Sequence, residues 1–225
     1  MNQKDKNPDY KRIYRFVCEK YDNTAHFAHG PFDEKYFTMR VYESAKEIIQ
    51  KIDKKVKTQQ LLVAAILHDI GKIKLKPSKL FGKKGILENF AEEWHRHATL
   101  GVSIAQDFLE TLGHSREFID EVCYLIEHHD LRGEKLKNKS IELQILQDAD
   151  LLADIGFAGF VRPFLYAGKF NRSVLGSIKF VQKEDRTKEG DELNLEISKK
   201  IAEKEMKLQR ELAQEIAKDL ESDLL

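Results

Sequence analysis

Residues 61–67 read LLVAAIL, a run that is apolar on every side of any helix it forms. A helix without a polar face must be covered all round, so this one belongs at the centre of a bundle rather than on its surface. His68 and Asp69 follow directly, then Gly71. Two polar side chains at the end of the most buried element are costly unless they are paired or bound to a cation. Adjacent helical residues diverge by about 100 degrees, so both reach one ion only where the helix stops. Gly71 stands where a left-handed cap carries little strain. An imidazole beside a hard carboxylate suits Mn, Fe, Ni, Co, Zn or Mg better than an ion that seeks thiolates.

The rest of the chain has the same character. Apolar residues recur at steps of three and four, alternation with period two is nearly absent, and the expected class is all-α. The first helix should start near Pro8 and Asp9 and bury Ile13, Phe16 and Val17. A second, over 32–52, should turn Tyr36, Met39, Ala45 and Ile49 inward, and the central helix should span 59–69. Helices are expected over 89–112 and 116–130, joined at Gly113, and over 140–155, followed by shorter segments carrying Phe157, Phe160 and Phe164, then Phe170, Arg172 and Phe180. The run 72–85 reads as a lysine-rich surface loop, with Lys72, Lys74, Lys76 and Lys79 as a basic rim able to receive a small anion. Residues 1–190 form the expected core, and 191–225 a charged amphipathic helix. Its stripe of Ile197, Ile201, Met206, Leu212, Ile216 and Leu220 would dock on the core or on a second subunit, giving a homodimer.

Composition narrows the function. Lys plus Arg and Asp plus Glu both number 38 among 225 residues, so no global basic field favours a nucleic-acid partner, and small-molecule chemistry is expected. Cys18 and Cys123 lie in apolar helical contexts without a Cys-x-x-Cys pairing, so neither a disulfide framework nor a zinc ribbon is indicated, and a reducing compartment fits. The start, MNQKDKNPDY, lacks the apolar stretch of a signal peptide, and no window reaches the roughly 18 apolar residues of a membrane span; a cytoplasmic protein is expected.

More candidate ligands fall on inward stripes. His97 shares a helix face with Leu100, Gly101, Ile104 and Phe108, whereas His95 falls near the polar face with Gln106. His129 shares the stripe of Ile119, Val122 and Ile126, and His128 lies at its edge. Asp148, Asp150 and Asp154 interrupt an otherwise apolar stretch, so at least one of them should be a ligand. Counting faces on a regular helix puts Asp148, with Ile141, Ile145 and Leu152, on the inside.

The string LLVAAILHDIGK resembles the hallmark of the HD-domain phosphohydrolases, and QDADLLADIG resembles their distal aspartate motif. In that motif the second acid, Asp150, is the metal ligand, so the resemblance favours Asp150 where periodicity favours Asp148. His97 and Gly101 are similar to the His-x-x-x-Gly element of the HD-GYP cyclic-dinucleotide phosphodiesterases, and EHHD, with His128 and His129, to their paired histidines; the GYP tail is missing. GFAGFVRPFLYAG is similar to a signature of small stand-alone HD hydrolases, among them nucleotide pyrophosphohydrolases. The resemblance runs from about 29 to 183. It departs at one place: the family's first histidine precedes an Arg-Val pair by three residues, and before Arg40 and Val41 that position holds Phe37. His29, or His26, from the preceding loop is then the candidate, with Asp33 or Glu34 as a carboxylate substitute.

The resemblance implies an HD-type helical bundle holding one or two divalent ions through His29, His68, Asp69, His97, His128, His129 and Asp150. Asp69 would also orient water, and Lys72 and Arg162 would neutralise a substrate phosphate, most readily that of a nucleotide. Two other classes remain open: an HD-fold di-iron oxygenase, and a nucleotide-sensing module with a weakened metal site.

Overall fold

In the computed structural model the apolar run forms most of α3 (Thr58–Leu67), and every residue of 61–67 is buried. Residues 7–22, 33–75, 90–131, 138–169, 173–183 and 193–222 are described. Around α3 pack α1 (Tyr10–Asp22), α2 (Glu34–Lys51), α5 (Arg116–His128) and α6 (Ile141–Ala153). A 3-10 turn (Ile70–Lys74) continues from α3 and crosses α4 (Phe90–Thr111). The shorter α7 (Gly156–Lys169) and α8 (Val174–Lys183) lie against α9 (Glu196–Ser222). No strand occurs among the described residues, so the all-α expectation holds.

Helix starts follow local chemistry. Asp33, Ser115 and Ser140 each accept a hydrogen bond from the backbone N–H three residues on, at Tyr36, Phe118 and Leu143, satisfying donors that a helix start leaves unpaired. Gly113, at φ 76°, turns the chain between α4 and α5. On α2 the buried stripe is Glu34, Phe37, Thr38, Val41, Ala45 and Ile48, so the face expected from Tyr36 and Met39 is displaced; Tyr36 is 39% exposed. The displacement brings Glu34 and Phe37 inside.

The expected left-handed cap at Gly71 is not found, since positive φ among the described glycines occurs at Gly113 and Gly156. Gly71 is needed for a different reason. A Cβ there would collide with the His97 carbonyl oxygen and the Gly101 backbone nitrogen, and a Cβ on Gly101 would stand 3.3 Å from Gly71 N and from Ile126 Cγ2. The turn after α3 therefore crosses α4 with bare backbone against bare backbone.

The last helix packs on α6, α7, α8 and α2. Its buried line is Ser198, Ala202, Met206, Gln209 and Ala213. The larger Ile197, Ile201, Leu212, Ile216 and Leu220 flank this line half-buried. Asp148 anchors the N-terminus of α9: its Oδ1 accepts from Asn194 N and Nδ2, both at 2.8 Å, and its Oδ2 from Leu195 N at 2.9 Å. A remote carboxylate thus meets the open donors and positive end of a helix.

Candidate metal centre

Four imidazole and carboxylate groups meet where α3 ends. His68 closes α3, Asp69 begins the turn, His97 comes from α4 one turn before Gly101, and His129 closes α5. All four are buried to within 2%. The glycine crossing sets His97 against the turn that carries Asp69. Asp69 divides its two oxygens: Oδ2 lies 3.1 Å from His68 Nε2, and Oδ1 lies 3.0 Å from His97 Nε2 and 3.7 Å from His129 Nε2. Asp150 Oδ1 stands 3.6 Å from His68 Nε2. Asp148, two residues earlier and so about 200 degrees round the helix, faces α9 and not this cluster.

The ring orientations show what the cluster demands. His68 Nδ1 lies 2.9 Å from the Ala65 carbonyl and His129 Nδ1 lies 2.6 Å from the Ile126 carbonyl. A carbonyl only accepts, so both Nδ1 atoms carry a proton, and Nε2 of each ring is the atom turned to the centre. His68 Nε2 is fully buried without a hydrogen bond of its own, and Asp69 Oδ2 is fully buried 3.1 Å from it. His97 Nε2 and His129 Nε2 face each other at 3.1 Å. A metal ion held among these facing nitrogens and carboxylate oxygens would satisfy them together. His68, Asp69 and His129 alone offer three ligand atoms within 4.8 Å of one another. The donor set, imidazole nitrogen with carboxylate oxygen, fits a divalent transition ion.

The same demand appears in the proton affinities. Burial opposes a charged His68, but the Asp69 and Asp150 carboxylates outweigh it and push its pKa up to about 10. Burial would raise Asp69, yet His68 and Lys72 hold it well below the usual carboxylate range. Burial, with His68 and His97 nearby, lowers His129, against the pull of Asp69.

Beside the cluster lie two cations. Lys72, expected on a surface loop just outside the site, is 5% exposed, because the 3-10 turn directs it inward. Its Nζ is 2.6 Å from Asp69 Oδ2 and 3.1 Å from Glu34 Oε2. Arg162, from α7, is buried with Nη2 3.6 Å from Glu34 Oε1 and Nη1 3.4 Å from Asp154 Oδ1. Phe37 packs against His68, ring centroids 6.2 Å apart, and lies under both cations.

The remaining candidates fall as follows. His128 is turned away, its Nδ1 against the Tyr124 carbonyl and its ring stacked on the Tyr124 ring at 4.4 Å; the geometry does not bring it to the centre. His26 and His29 lie outside the described residues, as does the side chain of His95. Asp33 caps α2 through Tyr36 N. Two contributors escaped the sequence reading. Tyr21 donates from its hydroxyl to the Asp69 carbonyl at 2.8 Å, and Arg40 Nε donates to the Ala153 carbonyl at 2.9 Å, tying α2 to the end of α6. Tyr21 continues the i, i+4 stripe of Ile13 and Val17, which was the available signal.

The HD domain family model matches residues 38–154, just over half of the chain. No curated protein matches. Among solved structures, Bacillus subtilis YpgQ is 22% identical, with 93% of this chain and 94% of that one covered and a TM-score of 0.64. YpgQ in complex with ADP is 21% identical over 93% and 97%, with a TM-score of 0.62. An HD-superfamily hydrolase from Bacillus thuringiensis is 20% identical over 94% and 96%, with a TM-score of 0.64. At these identities the likeness concerns the fold. The matched segment contains His68, Asp69, His97, His129 and Asp150, and its extent makes this chain a member of the HD-domain family.

Proposed function

We propose that this chain is a metal-dependent phosphohydrolase acting on a small phosphate ester or anhydride, with nucleotides as the leading substrate class. The observation that carries the reading is the pairing of a cation-demanding ligand cluster with two buried cations at its edge. His68, Asp69 and Asp150 on one side, and Asp69, His97 and His129 on the other, would hold one or two divalent ions. An ion so held supplies acidification of a bound water and withdrawal of charge from a phosphoryl oxygen. Asp69 is buried and anchored through its carbonyl by Tyr21, so it holds its orientation through turnover. Lys72 and Arg162 offer positive charge for the phosphate, the guanidinium with a planar fork and the ammonium as a point charge.

The complex of YpgQ with ADP supports a nucleotide as ligand for a protein of this fold. The equal numbers of basic and acidic residues favour a small substrate over a nucleic acid. No helix among the described residues is long and apolar enough to cross a membrane.

The test is a screen of nucleoside mono-, di- and triphosphates and cyclic dinucleotides with Mn, Co, Ni and Mg, run beside His68→Ala and Asp69→Ala. Hydrolysis by the native chain, with loss of both metal and turnover in the variants, is expected. Inertness toward every substrate at full metal content would overturn the reading, and retained iron with a visible absorption band would redirect it to oxygen chemistry.

A further inference from the structure

Glu34 is 2% exposed and bridges two cations from distant parts of the chain. Its Oε2 is 3.1 Å from Lys72 Nζ in the 3-10 turn, and its Oε1 is 3.6 Å from Arg162 Nη2 in α7. Phe37, one turn further along α2, forms a floor beneath both, with its ring centroid 5.5 Å from Lys72 Nζ and 4.2 Å from Arg162 Cζ. Each cation also has a carboxylate of its own: Asp69 for Lys72 at 2.6 Å, and Asp154 for Arg162 at 3.4 Å. Glu34 is shared.

We propose that Glu34 is a positioning residue which, with Phe37 as floor, sets Lys72 and Arg162 as a two-cation clamp for the substrate phosphate. The inference deepens the phosphohydrolase reading and rests on it for the identity of the anion. Long cationic side chains settle on whichever carboxylates are nearest, and holding them in one geometry costs rotamer freedom. Without the charge on Glu34, Lys72 falls to Asp69 and Arg162 to Asp154, which belong to different elements, and an incoming anion meets one cation at a time. In protein kinases a lysine–glutamate pair fixes the phosphate-binding lysine in the same way. Its place in the first turn of α2 also suits Glu34 to a fixed negative charge. A second effect has the opposite sign: removing a negative charge beside the clamp favours any anion. The two effects predict opposite changes in affinity, so measurement separates them.

The experiment titrates inorganic phosphate into the metal-loaded full chain by calorimetry, for the native protein, Glu34→Gln, Glu34→Asp and Phe37→Leu, with metal content and Tm recorded for each. Glu34→Gln should weaken phosphate binding about tenfold, the worth of one charge-assisted contact, and raise KM far more than it lowers kcat on a hydrolysed nucleotide. Glu34→Asp, which keeps the charge at shorter reach, should fall between. Metal content should be native in all of them. Should Glu34→Gln fail to fold, Glu34→Asp and Phe37→Leu decide on the same readout. Unchanged or tighter phosphate binding in the folded variants, or no phosphate binding by the native protein, would overturn the clamp. Phosphate binding that depends on Glu34 in a protein that hydrolyses no nucleotide would sink the functional reading and leave the clamp standing.

Discussion

His97 Nε2 and His129 Nε2 stand 3.1 Å apart, one ring from α4 and the other from the end of α5. Both also face Asp69 Oδ1, whereas His128, next in sequence to His129, stacks on Tyr124 outside the cluster. His97→Ala and His129→Ala should each lower metal content and cut kcat/KM by about 100-fold or more, in the range of lost metal-site contacts. His128→Ala should change either quantity by no more than about threefold, since its ring stacks on Tyr124 outside the cluster. Metal analysis and initial rates of the three variants check this; equal losses would return His128 to the centre.

Asp148 and Asp150 should separate cleanly in their effects. Asp148→Ala removes the acceptor of three hydrogen bonds at the start of α9 and leaves buried donors unpaired. A loss of about 3 kcal/mol or more in urea unfolding is expected, with metal binding unchanged in the protein that remains folded. Asp150→Ala should do the reverse, lowering metal affinity at little cost to stability. The same outcome for both variants would mean that α6 is oriented differently.

Much of this was legible beforehand, and the failures have physical causes. The apolar run before His68 located the centre because an all-apolar helix admits one environment. Stripe counting put His97 and His129 inside, where they are. The same counting chose Asp148 over Asp150, and it read burial correctly: Asp148 is fully buried and Asp150 is not. Burial did not mean ligation, because the partners of Asp148 are backbone N–H groups 46 and 47 residues away, which no local pattern reveals. Lys72 was hidden for the opposite reason. It opens a lysine-rich run, and within the 3-10 turn Lys72 is buried while Lys74, two residues on, is exposed, a difference that composition does not reveal.

The two crossing glycines should differ in their tolerance of a methyl group. At Gly71 the added carbon meets the His97 carbonyl and the Gly101 backbone, neither of which can rotate away. Gly71→Ala should therefore cost about 3 kcal/mol or more and abolish metal retention. At Gly101 the nearest contacts are 3.3 Å, one of them the movable Ile126 side chain, and a cost of about 1–2 kcal/mol is expected. Thermal unfolding and metal analysis of both variants test the ranking.

Chelation should expose a pH dependence that metal conceals. In the metal-free protein the neighbouring carboxylates raise the His68 pKa from 6.5 to about 10. The folded chain then holds the proton more tightly than the unfolded one. The stabilisation is complete below about pH 6.5 and is lost as pH rises through about 10. The Tm of chelator-treated protein should fall across that interval, while the metal-loaded protein, its Nε2 already engaged, should show a much flatter profile. Parallel profiles would argue that His68 is not where the ion binds.

The meeting of Gly71 and Gly101 also bears on redesign. Side chains that separate two helices can be trimmed or enlarged to tune a gap, but here the spacer is main chain on both sides. The distance between the turn bearing Asp69 and the helix bearing His97 therefore offers no dial. An engineer wishing to change which ion this protein prefers must exchange the donors themselves, because repacking the walls would leave the aperture at its present width.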